Sequence, residues 1–405
     1  MMERYIRIMN CLLILPLFAV CLSGCWSRQE LNSLAIVLAL GIDRAGDEYE
    51  VSLQYIDPSA VSRNKISNRS PSAVFSQKAN TLFEALRKTT TKASRRMYEA
   101  HLRFIVFNEE IAKEGILPCL DFLFRDHEIR PDFYMAIAKN CNAKDIIGFV
   151  SATEILPGID MYRALKTSAK EWSPTSAVNV KDIMAKLSKD GVEPVLTGLT
   201  LKGDIERGKT AENVKNPISP AEFEFMGIGV FRHDRLVGWL NEDESKTFSY
   251  LTNQIHSSVG KVKCPNGDGW FAVELTDSSF KMIPMLKNDK PHMKLKGKVE
   301  GNVGEVQCHV NLLDPREFAA LDIAGEEGLK HILNLGVAKV QKYGVDVFGF
   351  GEAFHRKYPK HWNQWKTNWN QKFREELTFE FEIEYQLKQH GKINNPFQNK
   401  TDRRE

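Results

Sequence analysis

The chain has 405 residues, of which 42% are hydrophobic and 26% charged, with a formal charge of +3. That length points to two or three domains of roughly 150 residues each and supplies ample apolar material for a core. The composition excludes a disordered chain, and so small a net charge demands no nucleic acid partner.

Arg4 and Arg7 precede an apolar run over residues 11–22. A basic start followed by a short apolar stretch and small residues is a secretory signal. The run falls short of the roughly 20 apolar residues needed to cross about 30 Å of hydrocarbon. Pro16 within it also argues against a permanent spanning helix. The run ends in Leu22-Ser23-Gly24-Cys25. This is similar to the bacterial lipobox, in which the cysteine thiol takes a diacylglyceryl group and the signal is cut just before it. Cys25 is therefore the expected lipid attachment site, with an ordinary signal peptide and a chance cysteine as the alternative. Two or more acyl chains hold a protein stably, at about 0.8 kcal/mol per buried methylene. Cleavage leaves a mature chain of charge +2, because Glu3, Arg4 and Arg7 go with residues 1–24.

Cys119, Cys141, Cys264 and Cys308 remain besides Cys25. None forms a CxxC or another zinc-ligand spacing. Export permits disulfides, but the apolar settings of Cys119 and Cys308 favour four small buried hydrophobes.

Along the mature chain, residues 34–42 form a continuous apolar strand and residues 48–56 an alternating one. Ala45-Gly46-Asp47 supplies the hairpin turn between them. A Ser-, Asn- and Arg-rich loop is expected over 57–71. Thr81-Leu82-Phe83-Glu84 has capping-box spacing and opens a helix through about Ala93. Strands are expected over 102–107 and 133–138, with a helix over 109–124 that Pro118 bends or divides. Alternation of this kind makes residues 25–193 an N-terminal α/β region. From about Pro194 the texture becomes mostly β, through 305. Its expected strands are 195–202, 225–232, 235–240, 259–262, 270–275, 280–283 and 293–299. His233-Asp234 forms one turn, and 203–216 is a surface loop. Residues 306–390 return to α/β. Leu329, Ile332, Leu333, Val337 and Val340 share one helical face, and Trp362, Trp365, Trp369 and Phe373 share another. Residues 377–387 close that domain as a strand, and 391–405 form a polar tail. The expected fold is α+β: three mixed α/β domains, their sheets flanked by helices.

No nucleophile elbow, Walker loop or HExxH occurs, and no cofactor is implied. Gly349-Phe350-Gly351 lacks the third glycine of a dinucleotide fingerprint and reads as a tight strand-to-helix turn. His355 and His361 have the wrong spacing for a helical metal pair, with Pro359 between them. Glu352, His355, Arg356, Lys357 and Tyr358 form a charged, aromatic segment. It reads either as a docking surface, where Arg and Tyr are favoured, or as side chains lying over the core. Arg87, Lys88, Lys92, Arg95 and Arg96 make a basic cluster that faces either solvent or anionic headgroups. In Arg125-Asp126-His127-Glu128-Ile129-Arg130-Pro131, local ion pairs explain His127 as well as catalysis does.

Four ordered blocks carry a resemblance. They are Gly24-Cys25-Trp26-Ser27-Arg28-Gln29-Glu30-Leu31-Asn32 leading to Ala39-Leu40-Gly41-Ile42-Asp43; residues 101–110 with Leu120-Asp121-Phe122-Leu123-Phe124-Arg125-Asp126; Gly229-Val230-Phe231 with Leu236-Val237-Gly238-Trp239-Leu240; and Phe348-Gly349-Phe350-Gly351-Glu352 with His355-Arg356-Lys357-Tyr358-Pro359. In this order they resemble the Ger(x)C family, the C subunits of nutrient germinant receptors. Ser27 stands where that family often has Asp. The resemblance implies a three-domain, non-enzymatic lipoprotein on the outer face of the spore inner membrane. It would work there with integral membrane A and B subunits to begin nutrient-triggered germination. It supplies no ligand-contact residues, and direct nutrient binding stays open. A lipid-anchored solute-binding protein of a transporter is the alternative, and a cell-wall enzyme the third reading.

Overall fold

The computed structural model describes residues 2–5, 33–56, 70–267 and 269–389. Cys25, most of the expected signal segment, nearly all of the loop expected over 57–71 and the expected polar tail lie outside the described residues.

The strands are β1 Leu34–Ala45, β2 Glu48–Ile56, β3 Ser72–Ala79, β4 Arg96–Tyr98, β5 Phe104–Asn108, β6 Tyr134–Ala138, β7 Val195–Gly203, β8 Ala221–Arg232, β9 Arg235–Leu240, β10 Ser258–Lys263, β11 Trp270–Lys287, β12 Lys290–Val306 and β13 Thr378–Gln389. Helices α1 Leu82–Lys88, α2 Glu109–Glu114, α3 Leu117–Arg125, α4 Ala143–Ile147, α5 Pro157–Glu171, α6 Val180–Leu187, α7 Ile205–Gly208, α8 Glu242–Leu251, α9 Pro315–Tyr343, α10 Phe350–Lys357, α11 Pro359–Trp365 and α12 Trp369–Glu375 connect and cover them. The result is the expected α+β arrangement.

Among the described residues the first sheet has nine strands in the order β3-β2-β1-β5-β6-β7-β8-β9, with β4 beside the start of β1. Its centre, β1-β5-β6-β7, is parallel, and its flanks are antiparallel hairpins. The boundary expected at 193/194 falls inside this sheet, because β7 pairs with β6. The strands of the expected middle domain therefore divide. β7, β8 and β9 complete the first sheet, while β10, β11 and β12 join β13 in a second, ordered β10-β11-β12-β13. The sequence break read between 275 and 280 is a register shift between Leu275 and Asp277 within one long strand, β11. Such a bulge keeps the strand paired while it turns side chains to the other face.

Both faces of the first sheet are buried, as its parallel centre requires. Val37, Leu40, Ile42, Ile105, Phe107 and Ile137 pack with α1, α2, α3 and α6 on one face. Ala39, Phe104, Val106, Ala136 and Leu199 pack with α4 and α5 on the other. Val37 and Leu40 share a face although they are three apart, because the β1–β2 register shifts between Val37 and Ala39.

Several local readings hold. Gly46 turns the β1–β2 hairpin with φ 64°. Thr81 caps α1, its side chain accepting from the Glu84 amide at 3.2 Å. The expected helix over 109–124 does divide, but at Gly115, with φ 131°. Pro118 instead sits in the first turn of α3, where its missing N–H costs nothing. Three readings change. The Gly349 turn joins helices α9 and α10, since the preceding element is helical. Part of the expected 203–216 loop is α7 and a 3₁₀ turn over Ala211–Val214. Cys264 and Cys308 form a disulfide, Cα–Cα 5.7 Å. Packing brings the end of β10 beside the chain leaving β12, so two of the four cysteines are cross-linked and only Cys119 and Cys141 are free.

Candidate functional site

The basic cluster and the His127 turn, read separately from sequence, meet in one cleft of about 620 Å³. The register explains how. β4 lies parallel to the start of β1, pairing Leu34 with Arg96, and the 3₁₀ turn Glu99–His101 follows directly. α1 and α3 pack over the same face of the sheet through Leu82, Leu86, Leu120 and Leu123. Their outer residues then form the cleft walls. Phe83 on α1 lies 5.9 Å from Phe122 on α3, ring to ring, and Leu86 and Met97 extend this apolar wall.

The rest of the lining is charged. Arg96 pairs with Glu128, and Arg125 with Asp121 at 2.8 Å. Arg87 lies over the Phe83 ring at 5.1 Å. Asp126 accepts the Glu128 amide at 2.9 Å, which shapes the turn. Glu99 is the least ordinary group. Burial, reinforced by the charges of Asp126 and Glu128 and opposed by Arg96, pushes its carboxyl up to about 7. Sequence reasoning missed Glu99, because a glutamate in a short turn carries no mark of burial. Of the five residues in the basic cluster, Arg87 and Arg96 line the cleft, joined there by Arg125 of the His127 turn. Lys88 pairs with Glu84 at 2.8 Å and Lys92 donates to the Ser76 carbonyl at 3.0 Å.

The segment 352–358 is presented by a buried hub that sequence reasoning also missed. Asp346 accepts the amides of Gly349 at 2.9, Phe350 at 3.1 and Gly351 at 2.7 Å, and the Trp369 indole N–H at 3.0 Å. Burial outweighs these four bonds and pushes its carboxyl up to about 6. Gly351 has no Cβ because one would lie 2.6 Å from the Gly191 Cα. From this base α10 buries Phe350, Ala353 and Phe354 and exposes His355, Arg356 and Lys357. Glu352 and Tyr358 are half-buried, and Glu352 reaches Lys189 at 3.5 Å. His355 stacks on Trp362 at 5.8 Å, and His361 meets Asp289 at 3.0 Å, so the two histidines serve different contacts. The other sequence blocks have structural work. Gly41 lets α4 approach, since a Cβ would stand 3.0 Å from the Ala143 backbone. The Asp43 carboxylate accepts the Ala143 and Lys144 amides at 2.8 Å each. The Tyr343 hydroxyl donates to the Trp239 carbonyl at 3.0 Å, tying β9 to α9.

Among the described residues, no three His, Cys, Asp or Glu side chains converge to hold a metal ion, and no helix is long and apolar enough to cross a membrane.

Comparison with known proteins adds what geometry leaves open. Residues 27–201 match the spore germination protein N-terminal domain, and residues 226–391 the spore germination B3/GerAC-like C-terminal domain. The chain is 31% identical to spore germination protein KC of Bacillus subtilis (strain 168), over 96% of this chain and 97% of that protein. It is 22% identical to spore germination protein B3 of the same organism, over 93% and 96%. The crystal structure of the GerBC protein superposes with a TM-score of 0.52 at 20% identity, covering 86% of this chain and 96% of that one, and shares the fold.

Proposed function

The chain belongs to the Ger(x)C family of spore germination proteins, and from that membership we propose that it is the lipid-anchored, non-enzymatic subunit of a nutrient germinant receptor, acting by assembly with integral membrane A and B subunits. The observation that carries this reading is similarity along nearly the whole chain, with both domain models in order. The lipobox sequence supports attachment through Cys25 to the outer face of the spore inner membrane. Eight residues, 26–33, separate Cys25 from β1. That stretch spans at most about 30 Å when extended, so the anchor keeps the folded body close to the bilayer. Membrane partners then meet it in two dimensions at raised effective concentration.

The docking surface in this reading is the face of α10 with Glu352, His355, Arg356, Lys357 and Tyr358. A rigid base is what an interaction surface needs, and the Asp346 hub beneath it supplies one. The cleft between α1 and α3 lies within the first sheet's own layer rather than between two lobes, so it lends no support to a transporter's solute-binding protein.

Co-purification from spore membranes tests the proposal. Cys25→Ala is expected to lose the protein from the membrane fraction and from its partners. Arg356→Glu with Lys357→Glu is expected to keep the protein on the membrane but weaken partner recovery. Normal retention and partner recovery with Cys25→Ala would remove the central step.

A further inference from the structure

We propose that the cleft between α1 and α3 binds a small organic cation, an ammonium or amidinium head on an aryl or alkyl body. The body packs on Phe83, Leu86, Met97 and Phe122, and the head meets Glu99 and Asp126. This goes beyond the assembly role and does not depend on it.

The cleft has the size and make-up of a ligand site: about 620 Å³, an apolar wall and a few converging polar groups. Its charges decide the ligand class. Arg96 is engaged by Glu128 and Arg125 by Asp121, so two of the three arginines are neutralised within the wall. Arg87 sits at the rim over Phe83, which is 50% exposed. That leaves two carboxylates, Glu99 and Asp126, with no salt-bridged basic side chain among the described residues. His127, the remaining titratable group, lies beside them in the lining. A carboxylate half-withdrawn from water gains most from a cation brought into contact, because the field is poorly screened there. A bare metal ion is a poorer occupant, since no three acidic or histidine side chains among the described residues converge on one point. The apolar wall would also be left unused by it. An ammonium with an apolar body uses the apolar wall and the carboxylates at once.

Binding is coupled to protons. Glu99 holds its proton up to about pH 7, and a cationic head requires it ionised. The site therefore releases a proton as the ligand binds near neutrality. Affinity rises with pH until Glu99 is fully ionised in the free protein. Facing the same cleft are the carboxyl groups of Asp121, Asp126 and Glu128, the guanidinium groups of Arg87, Arg96 and Arg125, and the His127 imidazole.

The test is calorimetry of the full mature chain with 2-phenylethylammonium, and with 2-phenylethanol as a neutral match in shape. The ammonium is expected to bind at least about tenfold more tightly than the alcohol. Its affinity should rise about tenfold between pH ~6 and ~8. Glu99→Gln, close to isosteric, should abolish the pH dependence and cut the preference to what Asp126 alone supports. Phe83→Ala, at an exposed rim position, should weaken the ammonium and the alcohol alike, by about fivefold. His127→Gln should leave the pH dependence in place. Equal affinity for ammonium and alcohol, an unchanged preference in Glu99→Gln, or no binding at about millimolar concentrations overturns the proposal. Spore partners take no part in this measurement, so it and the Cys25→Ala experiment fail separately.

Discussion

Asp346, fully buried, and Glu99, half-buried, are carboxyl groups with opposite uses. Asp346 is completely buried yet satisfied, its two oxygens taking four N–H donors from Gly349, Phe350, Gly351 and Trp369. Asp346→Asn turns an NH₂ group towards two of those donors. It should cost about 2–4 kcal/mol in a urea melt, since buried donors lose their acceptor. Glu99 has few local bonds and is held near 7 against an ordinary value of 4.5. A group whose folded value is raised withdraws stability as pH climbs from its unfolded value through its folded one. The stability of the protein relative to Glu99→Gln should therefore fall by about 2–3 kcal/mol between pH ~4 and ~8. Paired denaturant melts across that range check this, and a flat difference would show that Glu99 is solvated. Neither residue stands out in the sequence. The glycines after Asp346 were visible as a turn, but the carboxylate that organises it is identified only by burial.

At the scale of elements, local signals were read well where they are local in origin. The Gly46 turn, the Thr81 cap and the apolar face of α9 all follow from residues within a few positions of one another. The tryptophan stripe is a mixed case. Trp362, Trp365, Trp369 and Phe373 are all buried as their spacing requires, but a 3₁₀ turn over Lys366–Asn368 divides the single expected helix into α11 and α12. The Cys264–Cys308 link shows the limit from the other side. Its partners are 44 residues apart, and spacing alone cannot select them from four cysteines. They are buried with Phe271, Val273, Val303 and Leu321 in a separate small core. Cys264→Ser with Cys308→Ser should lower stability by about 3–4 kcal/mol for a loop of this length. Hydrogen exchange should rise first in β10 and the chain following β12. Gly351→Ala forces the 191 and 351 backbones apart and should cost about 1–3 kcal/mol in thermal unfolding.

For the whole molecule, the decisive fact is that the first sheet runs from β3 to β9, through the point where the texture of the sequence changes. A fragment ending at residue 193 would keep β6 but lose β7, exposing a parallel edge together with Ile137 and Ala138, both buried in the intact protein. That fragment is expected to aggregate more readily than residues 25–251, which retain β7 to β9 and keep the β6 edge paired. Amide NMR dispersion of the two fragments distinguishes them. The second sheet does not stand apart either. One apolar core runs from β1 through α8 and α9 to Trp362, Trp365 and Trp369, and the bond from Tyr343 to Trp239 crosses the same junction.

The sequence by itself determined the family blocks in their order, the α+β class and most turns, caps and amphipathic faces, and it carries the lipobox-like run Leu22-Ser23-Gly24-Cys25. These depend on covalent neighbours, on periods of two or 3.6 residues, or on side-chain chemistry at fixed spacing. Only the tertiary structure decided which strands share a sheet, which cysteines pair, that Asp346 supports the α10 face, and that Arg87, Arg96, Glu99 and the His127 turn line one cleft. Those outcomes depend on contacts between residues tens to hundreds of positions apart. Their energy comes from burial and register, which no short stretch of sequence contains.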